Sequence, residues 1–149
     1  MAGRAHAALP SGEDVNPRAR QRSGIARTLG VEITQLSRDR VVAELTAREE
    51  LANRKNILSG EVLMALADML GGTAATANLP EGAGTTTIES KTNFFAPVQL
   101  GETVFAECTP LHRGRTTMVW ETRIRRGDGT LAAVVTQTQL VMAPTRKPE

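Results

Sequence analysis

One run of residues limits what this chain can become: Ile57 to Asn78, ILSGEVLMALADMLGGTAATAN. Ser59, followed by Gly60, has the side chain of a helix N-cap, and the run then continues to Ala77 almost without polar interruption. Val62, Leu63, Met64, Leu66, Met69 and Leu70 go round the whole helical cylinder, the pattern of a helix buried on all sides. At roughly 1.5 Å per residue the helix is about 30 Å long, enough to cross a small domain. Glu61 and Asp68 lie on it, on one face and two turns apart. Glu61 is in the first turn, where the helix dipole favours an anion. Asp68 stands among Leu66, Ala67, Met69 and Leu70, with no basic residue one turn away in either direction. A carboxylate there costs free energy unless something pairs with it, so Asp68 is the residue to explain.

The rest of the chain is organised around that helix. Residues 1–22 mix Arg, Ala, Pro, Gly, Ser and acid without periodicity and read as a flexible tail, with helical character from Pro17 towards Thr28. The folded domain is expected over 23–145. Val31–Leu36 and Val41–Leu45 read as two strands joined by the polar turn Ser37–Arg40, and a charged connection leads to the helix. Pro80, Gly82 and Gly84 stop it. From Thr85 the period becomes two, with Thr86, Ile88, Ser90, Thr92 and Phe94 alternating with Thr87, Glu89, Lys91, Asn93 and Phe95. Three more strands follow, over Thr103–Leu111, Thr116–Arg125 and Leu131–Met142, with turns at His112–Arg115 and Gly127-Asp128-Gly129. The expectation is α+β: two short strands, a buried helix, then an antiparallel meander of four strands that curls round it. An all-round apolar helix needs a further cover on its open side, and a second copy of the chain is the simplest one.

With 149 residues the chain suits one domain with a real core. The net charge is only +2, and Arg4, Arg18, Arg20, Arg22 and Arg27 near the start leave the remainder near neutral. That speaks against nucleic-acid binding, as does the lack of Tyr and the scarcity of other aromatics. The run through the helix carries two acids and does not read as a membrane span. The start has no apolar signal region, and Cys108 has no partner for a disulfide, so a cytoplasmic location is expected. One Cys and two distant His, His6 and His112, leave no metal site. The same two His, and the absence of a G-x-S-x-G elbow, argue against a Ser-His-Asp hydrolase, and no P-loop or dinucleotide fingerprint occurs.

The helix motif resembles that of the hotdog-fold acyl-coenzyme A thioesterases, in the branch of the phenylacetate-pathway and Arthrobacter-type 4-hydroxybenzoyl-CoA enzymes. The resemblance covers roughly Gly24 to Ala143. It rests on Asn53, the loop to Leu58, Ser59-Gly60-Glu61 and Ala65-Leu66-Ala67-Asp68, and then on Asn93-Phe94-Phe95-Ala96-Pro97. The resemblance implies that Asp68 is the catalytic carboxylate, attacking the thioester carbonyl or activating water. It implies that the Gly60 N–H binds the thioester oxygen and that Asn53 lies near that oxygen, with the acid and the oxygen-binding groups coming from different subunits. No cofactor is implied, coenzyme A being part of the substrate. Two positions depart from the motif: Ser59 replaces a His and Glu61 replaces a Gly.

Elementary geometry points the same way. Thioester hydrolysis needs a base or nucleophile on one side of the carbonyl and donors where charge develops on the oxygen. A helix N-terminus supplies such donors. Asp68 and Gly60 are more than about 10 Å apart on one helix, so a dimer or dimer of dimers is expected to bring two helices together. Structural roles compete throughout: Asp68 as a hydrogen-bonded buried acid, Glu61 as dipole compensation, Asn53 as a turn residue, Gly60 and Gly72 as close-packing positions. Ser59 and Glu61 are nonetheless candidate substrate contacts, as are Gly72, where an acyl chain can approach closely, and Lys91, Arg113 and Arg115, which are candidates for the coenzyme A phosphates. Arg123, Arg125 and Arg126 lie at the far end of their strand from Arg115. Two further readings stand beside a thioesterase: an enoyl-thioester hydratase, disfavoured because no His lies near the helix, and a non-catalytic acyl-CoA-binding module, suggested by the altered Ser59-Gly60-Glu61.

Overall fold

The computed structural model describes residues 15–144. Its elements are α1 (Gly24–Leu29), β1 (Glu32–Leu36), β2 (Val41–Thr46), α2 (Gly60–Ala77), β3 (Gly84–Phe94), β4 (Thr103–Arg113), β5 (Thr117–Arg126) and β6 (Leu131–Met142). Together the strands make one six-stranded antiparallel sheet in the order β1-β2-β4-β5-β6-β3, and α2 packs against every strand from β2 to β6. This is the hotdog fold.

Helix α2 has two faces, which corrects the expectation of burial on all sides. Val62, Leu63, Leu66, Ala67, Leu70, Gly71, Ala74 and Ala75 are buried, a stripe at helical spacing. They meet Val41, Ala43, Leu45, Val104, Ala106, Trp120, Ile124 and Val135 of the sheet in one core. Gly60, Glu61, Met64, Ala65, Asp68, Met69, Gly72, Thr73 and Thr76 make the other face, which is exposed or half-buried. The helix is apolar on that face too, but the sheet reaches only round the first.

The small residues of the buried face set how close the helix lies. A Cβ on Gly71 would stand 2.2 Å from Cδ of Gln137 on β6, whereas one on Gly72 meets nothing within 4 Å. Gly71 is therefore a close-approach position and Gly72 is not.

The meander holds only for β4, β5 and β6. β3 pairs with β6 at the far edge, because α2 crosses the whole sheet and delivers the chain there. The simple alternation expected along β3 also fails. Its pairing with β6 shifts register between Thr87 and Glu89, so that Thr87 lies opposite Gln139 but Ser90 lies opposite Gln137 and Phe94 opposite Ala133. The extra residue, Ile88, changes which parity faces the helix. Thr85 and Thr87 before it, and Ser90, Thr92 and Phe94 after it, end up on the same side as the inward residues of β6.

Of the expected tail, residues 1–14 lie outside the described residues. Residues 15–22 belong to the domain, which corrects a boundary at residue 23. Val15 and Ala19 are buried, and Pro17–Arg20 forms a 3-10 turn capped by the Asn16 side chain. The Asn16 N–H donates to Ala77 O at 3.4 Å and Arg18 Nη1 to Ala83 O at 3.0 Å. These bonds lay the segment across the C-terminal half of α2.

Two measurements test this packing. Gly71→Ala is expected to lower unfolding free energy in urea by about 1–3 kcal/mol, and Gly72→Ala to leave it unchanged or raise it by up to about 1 kcal/mol. Cys108 on β4 is fully buried, and burial pushes its thiol from the ordinary 9.0 up to about 11. An acid whose pKa rises on folding stabilises the fold below its unfolded pKa and loses that contribution as pH climbs through the folded one. Unfolding free energy is thus expected to fall by about 2–3 kcal/mol between pH 8 and 11, a decline absent in Cys108→Ala. At pH 8 a thiol reagent should leave native Cys108 unmodified.

Candidate active site

Two cavities open along α2, one towards each end. The first, of about 400 Å³, is lined by Asp68, Met69, Gly72, Thr73 and Thr76 of α2, Thr85–Thr87 of β3 and Gln139 of β6. Arg18, Arg22, Ser23 and Ile25 of the N-terminal segment, with Val31 and Ile33, close its other wall. The second, of about 330 Å³, is lined by Asn53, Ile57, Leu58, Gly60 and Leu63 together with Phe94–Val98. Asp68 and Gly72 fall in one cavity; Asn53 and Gly60 fall in the other. The chain does not bring them together by itself, as the helix spacing requires.

Asp68 is exposed in the single chain, not sunk in oil, and it faces a cavity whose groups hold it. Thr87 Oγ1 donates to Asp68 Oδ1 at 2.7 Å, and Gln139 Nε2 donates to Thr87 Oγ1 at 2.6 Å. Gln137 Nε2 makes a longer contact with the same Oδ1, at 3.4 Å. No arginine pairs with Asp68 among the described residues. Gln137 and Gln139 are both fully buried, which the sequence reading missed. The signal was available: β6 alternates, and Val135, Gln137 and Gln139 share the parity of a core face, where two glutamines demand partners.

The second cavity contains the start of α2. Ser59 stands at the N-cap position, but its hydroxyl makes no capping bond, which corrects the role expected for that side chain. Its carbonyl accepts from the N–H groups of Val62, at 3.1 Å, and Leu63, at 3.4 Å. The N–H groups of Gly60 and Glu61 have no acceptor within the helix and none elsewhere among the described residues. A Cβ on Gly60 would stand 3.2 Å from Phe94 Cζ, so the residue is also a close-packing position under the ring. The Asn53 side chain closes a turn, its Oδ1 accepting from the Lys55 N–H at 2.8 Å, which leaves Nδ2 as the group able to donate into the cavity. Glu61 is exposed and lines neither cavity.

The expected phosphate-binding cations are dispersed. Lys91 lies on the outward side of β3, bonded to Asn93. Arg113 pairs with Asp39 at 2.7 Å and contacts Asn78 beyond the end of α2. Arg115 is exposed in the β4–β5 turn. None of them lines either cavity. Arg126, at the far end, is bonded to Glu102, whose carboxyl is held below its ordinary pKa by the Gln99 N–H first and by Arg126 second. No helix among the described residues is long and apolar enough to cross a membrane.

Known proteins place this architecture. The family model described as "Thioesterase superfamily" matches residues 55–133, the stretch that carries α2 and most of the sheet. The chain is 31% identical over 106 residues to an Arabidopsis thaliana protein named 1,4-dihydroxy-2-naphthoyl-CoA thioesterase 2, covering 70% of this chain and 66% of that one. It superimposes on the crystal structure of a Haemophilus influenzae thioesterase with a TM-score of 0.77 at 28% identity, covering 84% of this chain and 87% of the other. The Escherichia coli PaaI protein from the phenylacetic acid degradation operon shares the fold, with a TM-score of 0.76 at 21% identity over 83% of this chain and 87% of that one.

Proposed function

This chain belongs to the thioesterase superfamily and is a thioester hydrolase, and from that premise we propose that it cleaves small, medium or aromatic acyl-coenzyme A esters to free acid and coenzyme A. The observation that carries the detail is the division of the site: an acid in one cavity, oxygen-binding donors in the other, at opposite ends of one helix. Two copies of the chain with their α2 helices antiparallel would set Asp68 of one opposite Gly60 and Asn53 of the other. The surface supports such pairing. β3 is an edge strand of 11 residues with a free side, and Met64, Ile88, Phe94 and Phe95 are exposed along it and along the open face of α2.

In that arrangement the thioester oxygen takes hydrogen bonds from the Gly60 N–H and from Asn53 Nδ2, where negative charge grows as the carbonyl carbon becomes tetrahedral. Asp68 either takes a proton from a water that attacks the carbon or attacks it directly. In the second case the thiolate leaves as an anhydride forms on Asp68, and water then cleaves that anhydride to free acid and the restored carboxylate. By the first route the water oxygen bonds to carbon, the C–S bond breaks, and the departing thiolate receives the proton held by Asp68. Glu61, outside both cavities, keeps its charge away from the oxygen and complements the helix dipole. Lys91, outward on the edge strand β3, is proposed for the phosphates together with Arg113 and Arg115, all three as contacts outside the cavities. Within the family, we place the chain with the phenylacetate-pathway branch on Asn53, Gly60 and Asp68.

A panel of acyl-CoA esters, followed by release of free thiol, tests this, since buried Cys108 adds no background. Asp68→Ala is expected to lower kcat by about 10²–10⁴-fold, while Glu61→Ala retains activity. Mixing the inactive Asp68→Ala and Asn53→Ala chains should restore part of the turnover, because hybrid dimers rebuild one intact site. Turnover that survives Asp68→Ala removes the proposal, and binding of the esters without turnover replaces it with a carrier role.

A further inference from the structure

The hydrogen bonds at Asp68 are one-sided. Thr87 Oγ1 and Gln137 Nε2 both address Oδ1, and Oδ2 has no hydrogen-bond partner among the described residues. Behind Thr87 the chain of donors continues in one direction. The Thr87 hydroxyl gives its proton to Asp68, so it must accept, and it accepts from Gln139 Nε2 at 2.6 Å. The Gln139 amide is turned by its own Oε1, which takes a bond from Thr85 Oγ1 at 3.0 Å. Gln139 is fully buried and its orientation is therefore fixed by packing as well as by these bonds.

The backbone has a feature built for the same end. Thr87 and Gln139 are direct cross-strand partners, and the register shift falls immediately after Thr87. With regular alternation Thr87 and Phe94 would face opposite sides of β3. The extra residue puts Thr87 towards Asp68 while Phe94 still covers Gly60, so one strand serves both cavities.

We propose that Thr87 and Gln139 are positioning residues for the thioesterase reaction: they tether Asp68 through Oδ1 and leave Oδ2 as the oxygen that meets the water or the acyl carbon. The inference rests on the assignment of Asp68 as the reacting acid. It asks nothing of the substrate, since the donors act on the carboxylate and hold one rotamer of it in place. A carboxylate free to rotate would spend part of its time with neither oxygen aimed at the carbonyl, which lowers kcat and leaves ground-state binding as it was.

The test uses the full-length protein with whichever acyl-CoA ester it turns over fastest. Thr87→Val replaces the hydroxyl by a methyl of similar size, and Gln139→Met keeps length without the amide. Each is expected to lower kcat about ten- to hundredfold with KM within about twofold of wild type. Thr87→Ser should recover most of the rate, and the double variant should be no slower than the slower single one, because both residues act through one chain of bonds. If Gln139→Met fails to fold, the Val and Ser variants at Thr87, which is only half-buried, decide the matter. Wild-type kcat in Thr87→Val overturns the proposal, as does a raised KM with unchanged kcat, which makes Thr87 a substrate contact. Asp68→Ala in parallel separates the two failures. If it is inactive while Thr87→Val is normal, only the positioning role is lost; if it is active, the assignment of Asp68 fails and the positioning role with it.

Discussion

The close approach of α2 to β6 at Gly71 is the contact on which the site depends. Gln137 fills the space where a side chain at Gly71 would be, and its amide reaches the helix at Asp68. A larger residue would lift the helix away from the strand and carry Asp68 off Thr87 and Gln137 together. Burial of Leu66, Leu70 and Ala74 beside it holds the axis of the helix against the sheet. The same packing that makes the core therefore sets the depth of the acid in its cavity. On the proposed assignment of Asp68, the geometry of the site and the stability of the fold share one interface, so substitutions on the buried face of α2 would act on both.

The crossing of α2 has a second consequence, through topology. Because the helix carries the chain over the full width of the sheet, β3 lands at the edge next to β6 and runs back along the helix. Only a strand in that place passes both cavities, contributing Thr85–Thr87 to one and Phe94 to the other. A regular strand could not turn both ends of that sequence towards α2. One additional residue resolves the conflict, and it does so where the strand has a partner on only one side, so that the lost ladder bond costs least. The N-terminal segment completes the first cavity from outside the sheet, with Arg18 and Arg22 on the wall opposite the threonines.

Much of this was legible in the residues. The helical run, the strand boundaries and the pairing of an acid with an amide-rich helix start follow from periodicity, caps and breakers, because those signals are local. Asp68 stood out since an acid amid leucines is expensive wherever it is buried, although in the single chain it is exposed at a cavity. What could not be read was long-range. The order of strands depends on where the helix delivers the chain, and the inserted residue in β3 leaves no mark in a Thr-rich sequence whose two parities look alike. The apolar open face of α2 misled in a specific way: Met64 and Met69 read as core, yet the chain's own sheet cannot reach them. Gln137 and Gln139 were passed over for the opposite reason: they are polar, although they share the parity of Val135 on the core face of β6.

On the proposed reading, that open face also explains why the site is split. A helix offers donors only at its N-terminus, and an acid placed there would repel the charge those donors are meant to stabilise. Moving the acid two turns along removes the repulsion but takes it out of reach of the same carbonyl. The second antiparallel helix proposed above would restore that reach, the partner's acid meeting the acyl carbon from one side while the N–H groups at the helix start face the oxygen. The cover needed for Met64 and Phe94 and the complement needed for Asp68 are then one and the same surface. Glu61 fits this scheme because its carboxylate, though in the first turn, lies outside the cavity that holds the Gly60 N–H. Had it lined that cavity, the helix end would have lost its use as an anion site, whatever the rest of the motif retained.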